Sequence, residues 1–328
     1  MPPLRFAVIG AGAIGAYVGA ALVRGGAEVT LVARGPHLAA MQERGVRVES
    51  PRGDFQAHPK ATSDIRSIGP VDVVIIALKA HQIEPLVDDL RTLYHDDTAV
   101  IAMQNGIPWW YFALHGGPHD GYIVRSVDPE GKLAAGIEPE RVVGCVIYSS
   151  TEIVAPGVIK HIEGTRYSLG DARRGISPRT ERIAEAFVAG GLKAPVEPDI
   201  RVDIWLKLLG NAAFNPISAL TRATLVEMTD DPLVEPLVAG MMAEAVAVAK
   251  ALGVEIPITI EKRIDGARRV GAHKTSMLQD LEARKAFELD ALTGAVVELG
   301  KLNGTPPPAT ENVYAMTKLL EKSVLAGR

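Results

Sequence analysis

One segment of the chain places three polar side chains at a spacing suited to chemistry on a small polar substrate. Lys207, Asn211 and Asn215 follow one another at intervals of four residues in an otherwise apolar stretch. On a helix they would drift only about 80° around the axis and span about 12 Å. A lysine and two amides on a buried helix need partners or a polar cleft. The stretch therefore indicates a site, and the open alternative is a structural network in which a carboxylate neutralises Lys207.

The helix that must carry these side chains is predicted from the residues around them. From Asp203 to Ile217 the intervening positions are almost all apolar, which indicates burial on most sides. Pro216 lacks the N–H group that a helix hydrogen bond requires, so we expect the helix to kink or end beside Asn215.

Two further polar residues follow in the same half of the chain. Ser276 stands at the start of a predicted helix, with Gln279 three residues later, and fits an N-cap. Glu288 has apolar neighbours at helical spacing. A plain cap and a solvated helix residue are equally good interpretations of Ser276 and Glu288, so both stay candidates at this point.

The N-terminus carries a second kind of chemistry, the binding of phosphate groups by a glycine-rich turn. A short apolar strand, Arg5 to Ile9, leads into the spacing G-x-G-x-x-G, and a helix of small residues and a strand from Glu28 to Ala33 follow. In a dinucleotide-binding βαβ unit the three glycines allow the tight turn, the approach of the pyrophosphate and close helix packing. The predicted contacts are Gly10, Ala11, Gly12, Ala13, Ile14 and Gly15.

The end of the second strand predicts which nicotinamide cofactor is bound. NAD enzymes usually place an acidic residue there to bind the ribose 2′-hydroxyl. This chain has Ala33-Arg34-Gly35 instead. The Arg34 guanidinium can form a bidentate pair with a 2′-phosphate. The sequence therefore predicts NADPH, with an ordinary surface arginine as the alternative.

Two later apolar strands end in polar residues that become candidate contacts by position. Val71 to Leu78 and Thr98 to Met103 are continuous apolar runs, as in a parallel sheet covered on both faces. Lys79 follows the first run, and Asn105 follows the second after one glutamine. Ligands of open α/β sheets bind outside the carboxyl ends of strands. Simple loop polarity is the alternative for both.

The alternation of strands and helices stops near Pro198, after which the chain reads as helix. We therefore predict an α/β protein with an N-terminal Rossmann-type doubly wound domain, 1–197, and a C-terminal all-helical domain, 198–328. The connection 108–140 has no clear elements and begins with an aromatic cluster, Trp109 to Phe112. A lid, a homodimer contact and a local core patch are open alternatives for it.

Composition excludes several classes of function. The net charge of −4 gives no reason to expect a nucleic-acid partner. Cys145 is the only cysteine, so an intrachain disulfide and cysteine-based zinc sites are excluded, and the histidines show no convincing metal spacing. No apolar run reaches the length of about 18 residues that a membrane span requires. We expect a cytoplasmic protein without a bound metal or a membrane anchor.

Taken together, these motifs resemble the ketopantoate reductase (2-dehydropantoate 2-reductase) family over nearly the whole chain. The glycine fingerprint is the least specific part of the resemblance. The most specific part is the pattern Lys-x3-Asn-x3-Asn-Pro at 207–216, followed by Ser-Met-Leu-Gln-Asp at 276–280 and by Glu288. The segments 78–82 and 104–106 also carry it.

The resemblance implies a role for each candidate residue. Lys207 would be the catalytic acid and Glu288 its partner in binding the substrate. Asn211, Asn215 and Ser276 would contact the substrate, and Lys79 and Asn105 would lie where cofactor and substrate meet. Arg34 would bind the 2′-phosphate of NADPH.

The implied reaction is the NADPH-dependent reduction of a small 2-oxo acid, ketopantoate to pantoate, in a cleft between the two domains. The segment 108–140 is longer than the resemblance leads us to expect, so a bulkier 2-oxo acid is one alternative substrate. A non-catalytic NADP-binding sensor is the alternative from another class of function.

Overall fold

The N-terminal apolar runs form the strands of one mixed sheet in the structure, a computed structural model that describes residues 2–327. In chain order the strands of these residues are β1 (Arg5–Ile9), β2 (Glu28–Val32), β3 (Val46–Glu49), β4 (Phe55–Ala57), β5 (Lys60–Thr62), β6 (Val73–Ile76), β7 (Ala99–Ala102), β8 (Val142–Ala155) and β9 (Val158–Asp171).

Parallel pairing dominates the middle of this sheet. The strand order is β4-β3-β9-β8-β7-β6-β1-β2-β5, and β7, β6, β1, β2 and β5 run parallel to their neighbours. Every residue of β6 and β7 is buried, as their lack of polar alternation predicts. The carboxyl ends of β1 and β6 therefore lie at the same edge of the sheet, where ligands of such sheets bind.

The described residues also form twelve α-helices. The first group is α1 (Ala13–Arg24), α2 (Gly35–Arg44), α3 (Val87–Arg91), α4 (Lys132–Gly136) and α5 (Pro178–Ala189). The second group is α6 (Ile200–Thr221), α7 (Leu225–Asp230), α8 (Val234–Ala251), α9 (Ile260–Val270), α10 (Ser276–Glu282), α11 (Ala295–Leu302) and α12 (Pro308–Leu325). A π-helical turn, Asp290–Gly294, leads into α11. The predicted fold class is confirmed.

The chain folds into two units. Unit 1 contains the sheet and consists of the chain up to Gln104, Trp110–Ile123 and Gly131–Ile200. Unit 2 is helical and consists of Asn105–Trp109, Val124–Glu130 and the chain from Arg201 onward. Unit 2 thus contains two short segments from the N-terminal half of the sequence. Of the helices in the described residues, none has the length and hydropathy of a membrane span.

Two predicted elements differ from the observed ones. The short apolar run Tyr167–Gly170 by itself predicts a separate strand, but these residues belong to β9, which pairs with β8 along a long antiparallel hairpin. Polar residues and bulges interrupt the apolar alternation there, while the backbone pairing continues. The stretch 233–252, rich in Ala, Val and Met, predicts a central buried helix. The observed helix is α8, which buries only one face: Leu237 is 38% exposed, whereas Met241 and Met242 lie in the core.

The aromatic cluster of the connection 108–140 is part of the protein interior. Trp109, Trp110, Tyr111 and Phe112 are all at most 3% exposed. In unit 1 the rings of Tyr111 and Phe112 meet edge to face, with 4.8 Å between their centroids. In unit 1 the burial of Trp110, Tyr111 and Phe112 supports the alternative of a local core patch for these three side chains.

Candidate active site

The glycine fingerprint has the geometry that a dinucleotide requires. Gly10 adopts a φ of +94°, and a side chain there would collide with Leu78 and the Ala77 carbonyl. A side chain on Gly15 would collide with the Gly10 carbonyl, so this glycine allows α1 to pack closely on the turn. Gly12 faces open space and is the N-cap of α1 without a side-chain cap. The residues present therefore fit a pyrophosphate on the N-terminus of α1.

Arg34 lies between β2 and α2, as the sequence predicted. It is exposed and is the N-cap residue of α2. No acidic side chain in residues 2–327 forms an ion pair with it. The neighbouring Ala33 N–H donates to the Thr62 carbonyl of β5, which fixes the backbone from which Arg34 extends. An exposed guanidinium on a fixed backbone suits a phosphate that arrives from solvent.

Unit 2 holds a chain of three polar side chains centred on Asn105. The Lys207 Nζ donates to the Asn105 Oδ1 at 2.7 Å, and the Asn105 Nδ2 donates to the Glu288 Oε2 at 2.9 Å. An ammonium only donates and a carboxylate only accepts, so the amide in this orientation satisfies both neighbours. All three residues are half-buried. Asn105 therefore links a cation and an anion that do not bond each other directly.

The backbone that presents Asn105 docks onto the π-helical turn. The Ile107 N–H donates to the Ala291 carbonyl at 2.9 Å. Gly106 has a φ of +82°, and a side chain there would collide with that same carbonyl. In this wide turn the Ala295 N–H donates to the Asp290 carbonyl five residues earlier, while the Ala291 carbonyl accepts from the Ile107 N–H. Single π turns are frequent at functional sites, and here the turn directly follows the Glu288 segment.

The other predicted substrate contacts line the same helix, α6, and the start of α10. The Asn215 Nδ2 donates to the Ser276 Oγ at 3.4 Å, with Asn215 buried and Ser276 exposed. Asn211 lies one turn from both Lys207 and Asn215 and is half-buried. Within the described residues no protein group hydrogen-bonds its side chain, so its amide can bind a ligand.

The prediction that Ser276 caps a helix is wrong. The N-cap is Thr275, whose backbone is extended and whose hydroxyl accepts from the Leu278 N–H at 3.2 Å. Thr275 and Ser276 are both suitable cap residues by type. The entry of the chain into α10 decides between them, and it leaves the Ser276 hydroxyl for Asn215.

Of the two outcomes expected at Pro216, a kink or the end of the helix, the structure excludes the second, because α6 continues to Thr221. Proline lacks the N–H that would bond the carbonyl four residues earlier, which belongs to Ala212. The buried Thr293 of the π-helical turn donates its hydroxyl to that carbonyl at 3.3 Å. A residue distant in sequence thus replaces the missing helix bond, and no local signal predicts it.

Lys79 lies in unit 1, at the start of a 3₁₀ turn that follows β6. The turn is held by the Lys79 N–H, which donates to the Gln82 Oε1 at 3.1 Å. Gln104, which we had not proposed as a site residue, donates from Nε2 to the Ile76 carbonyl at 2.9 Å and to the Leu78 carbonyl at 3.3 Å. It braces the end of β6 from the end of β7. That Lys79 and Asn105 meet at one ligand stays a prediction.

Comparison with known proteins shows the family of this chain. Residues 6–174 match the family model described as "Ketopantoate reductase PanE/ApbA", and residues 199–321 match "Ketopantoate reductase PanE/ApbA C terminal". The chain belongs to the ketopantoate reductase family. A 2-dehydropantoate 2-reductase of Mesorhizobium japonicum is 45% identical over 97% of this chain and 98% of its own length.

Solved structures show the same family likeness. A ketopantoate reductase structure from Ralstonia solanacearum, titled as putative, superposes with a TM-score of 0.92 at 38% identity, over 98% of this chain and 99% of that one. A D-mandelate dehydrogenase solved with NADH and anilino(oxo)acetate superposes with a TM-score of 0.82, over 98% and 99%. At 22% identity, that second likeness shows the fold alone.

Within this ketopantoate reductase fold, sequence reasoning missed the residues that hydrogen-bond the elements carrying the site residues. Thr293 completes α6, and Gln104 braces β6. Glu321 and Lys318 of α12 contact the residues on either side of Glu288. Only Gln104 had a usable signal, its place between an apolar strand and Asn105. The others lie on ordinary amphipathic or apolar segments, where nothing in the neighbouring sequence indicates that a polar residue has a role at the site.

Proposed function

We propose that this chain reduces 2-dehydropantoate to pantoate with NADPH, and that Lys207 is the proton donor. The observation that carries the proposal is the hydrogen-bonded chain from Lys207 through Asn105 to Glu288. Membership of the ketopantoate reductase family, and the 45% identity to a 2-dehydropantoate 2-reductase, support the choice of substrate.

The reaction needs a hydride and a proton. Bound NADPH supplies the hydride to the ketone carbon. Negative charge then develops on the ketone oxygen, and the Lys207 ammonium stabilises this charge and donates the proton. The bond to Asn105 limits the positions that the Lys207 Nζ can occupy, and an ammonium held in place before reaction acts with less reorganisation.

Neutral donors suit the rest of the substrate. We infer that Asn211, Asn215 and Ser276 bind the carboxylate and hydroxyl of the keto acid. Their amide and hydroxyl groups can donate hydrogen bonds without adding charge to the site. The half-buried Asn211 and the pair of Asn215 with Ser276 support this inference. Glu288 binds the substrate beside Lys207 and balances the ammonium charge through Asn105.

A panel of small keto acids tests the proposal, with NADPH oxidation as the readout. We expect turnover with 2-dehydropantoate, and Lys207→Ala should lower kcat by about 10²-fold or more while NADPH binding is retained. A matched control is Lys250→Ala, since Lys250 is an exposed lysine in the last turn of α8.

Each other outcome points to a different function. Oxidation only with other keto acids would favour a paralogous 2-oxo acid reductase. NADPH binding without oxidation of any substrate would favour a non-catalytic sensor. Full turnover by the Lys207→Ala variant would remove this lysine from the mechanism.

A further inference from the structure

The segment that carries Glu288 has no regular structure of its own. Residues 285–288 lie between the end of α10 and the π-helical turn and belong to no helix or strand. The position of the Glu288 carboxylate against Asn105 therefore depends on what holds the backbone before and after it. Both of those positions are held by the C-terminal helix, α12.

Glu321 holds the residue before Glu288. Its Oε1 accepts from the Phe287 N–H at 2.7 Å, and both residues are buried, with Glu321 only 7% exposed. A buried carboxylate is costly unless hydrogen bonds and a counter-charge compensate its desolvation. A buried carboxylate that bonds the backbone N–H next to Glu288 therefore restricts the position of this segment.

Asp290 is the anchor on the other side of Glu288. Its Oδ1 accepts from the Tyr314 hydroxyl at 2.7 Å and its Oδ2 from the Lys318 Nζ at 2.6 Å. Lys318 also donates to the Glu321 Oε2 at 3.0 Å, which joins the two anchors. Tyr314, Lys318 and Glu321 follow at four and then three residues, so one face of α12 presents all of them.

The positive charge of Lys318 holds this network together near neutral pH. Burial lowers the pKa of Lys318, but its hydrogen bonds to Asp290 and Glu321 outweigh burial, so the pKa lies above its usual value. Burial and the hydrogen bond to Asp290 raise the pKa of Tyr314 to about 12. Lys318 is therefore a cation between two carboxylates, and Tyr314 remains a donor.

We propose that Glu321, braced by Lys318, is a positioning residue that sets the Glu288 carboxylate against Asn105, an inference that rests on the proposed function of Glu288. It acts through its hydrogen bond to the backbone of Phe287, one residue before Glu288. The C-terminal helix, α12, thus helps to position a residue of the proposed active site.

Kinetics with 2-dehydropantoate test this proposal. Small misplacements of a reacting group cost up to about 10²-fold in rate, so we expect Glu321→Ala to lower kcat/KM by roughly 10- to 100-fold with the Kd of NADPH unchanged. Glu321→Gln keeps an acceptor for Phe287 but loses the ion pair with Lys318, and its loss should be smaller. Glu311→Ala is the control, because Glu311 lies on α12 like Glu321 but forms an exposed ion pair with Lys301 of α11.

A double-mutant cycle separates positioning from a merely structural role. If Glu321 acts through Glu288, then Glu321→Ala should have little further effect on kcat/KM in the Glu288→Gln background. An equal loss in both backgrounds, or unchanged kcat/KM in Glu321→Ala, would overturn the proposal.

An NMR readout remains valid if the proposed function itself fails. In 15N-labelled protein the side-chain amide of Asn105, assigned by its loss in Asn105→Asp, reports on the bond to Glu288. We expect its signals to shift in Glu321→Ala and to stay in place in Glu311→Ala. Shifted signals in a protein that does not reduce 2-dehydropantoate would reject the function and keep the positioning. Unshifted signals in Glu321→Ala would reject the positioning.

Discussion

At the scale of single residues, the type of Asn105 matters more than its polarity. Its amide offers one acceptor and one donor group, which match the Lys207 ammonium and the Glu288 carboxylate. An aspartate at this position could accept from Lys207 but would place a second carboxylate against Glu288. An amide therefore couples the two charged groups without changing the charge of the site.

Arg34 gives the sharpest prediction at this scale. Arg34→Ala should raise the Kd of NADPH by about 10- to 100-fold, because charge-assisted bonds to the 2′-phosphate are lost. The Kd of NADH, which lacks that phosphate, should change little. Fluorescence titration with both cofactors measures this, and Arg44→Ala in the last turn of α2 is the control. Equal losses for the two cofactors would contradict the assigned role of Arg34.

At the scale of elements, α6 and the π-helical turn complete each other. Pro216 removes one hydrogen bond from α6, and Thr293 supplies a donor to the buried Ala212 carbonyl that has lost its helix partner. The same turn offers the Ala291 carbonyl to Ile107 and so holds the segment of Asn105. The element that carries Lys207 and the segment that carries Asn105 are thus both fixed by one turn.

This pairing predicts a specific pattern of stabilities. Thr293→Val is nearly isosteric but leaves the buried Ala212 carbonyl without its donor, and should lower the free energy of unfolding by about 1–3 kcal/mol. In the Pro216→Ala background, residue 216 has an N–H for that carbonyl, and the same substitution should cost less. Urea unfolding of the four proteins measures the difference. Identical costs in both backgrounds would show that Thr293 does not compensate Pro216.

At the scale of the whole molecule, each unit contains a separate part of the proposed chemistry. Unit 1 carries the glycine fingerprint and Arg34, while unit 2 carries Lys207 and Glu288. Asn105 comes from the first half of the sequence but belongs to unit 2. The chain passes from one unit to the other directly after Gln104, which itself braces the sheet. The division into domains at 197/198 stays a prediction.

The pH dependence of stability is also a property of the whole chain. Burial raises the pKa of Tyr94 to about 12, and the pKa values of Tyr17 and Tyr167 are raised for the same reason. Above about pH 10 the unfolded chain releases phenol protons that the folded chain keeps, so the free energy of unfolding falls as pH rises towards 12.

Burial lowers the pKa of His37. Below about pH 6.5 the unfolded chain therefore binds a proton that the folded chain resists, and stability falls again.

Urea midpoints between pH 5 and 11 should therefore pass through a plateau from about pH 7 to 10. Tyr94→Phe tests the alkaline limb, because it should remove about 1 kcal/mol of the stability lost by pH 11. Stability near neutral pH should be retained, since no residue that the structure describes hydrogen-bonds the Tyr94 hydroxyl. An unchanged alkaline slope in this variant would contradict the role of the buried phenol.

The sequence by itself determined the fold class, the glycine turn, the position of Arg34 and the polar face of α6. These depend on periodicity, on the steric freedom of glycine and on residue types close in the chain, which are local properties. The family pattern that includes Lys207 and Glu288 could be recognised in the same way.

Only the tertiary structure decided which residues are partners. Asn105 and Glu288 are far apart in the chain, as are Ala212 and Thr293, and Phe287 and Glu321. Hydrogen bonds between such residues leave no periodic trace, because they form only after the apolar faces have packed and fixed the backbones. The cap at Thr275 rather than Ser276 was decided in the same way, by how the chain enters α10.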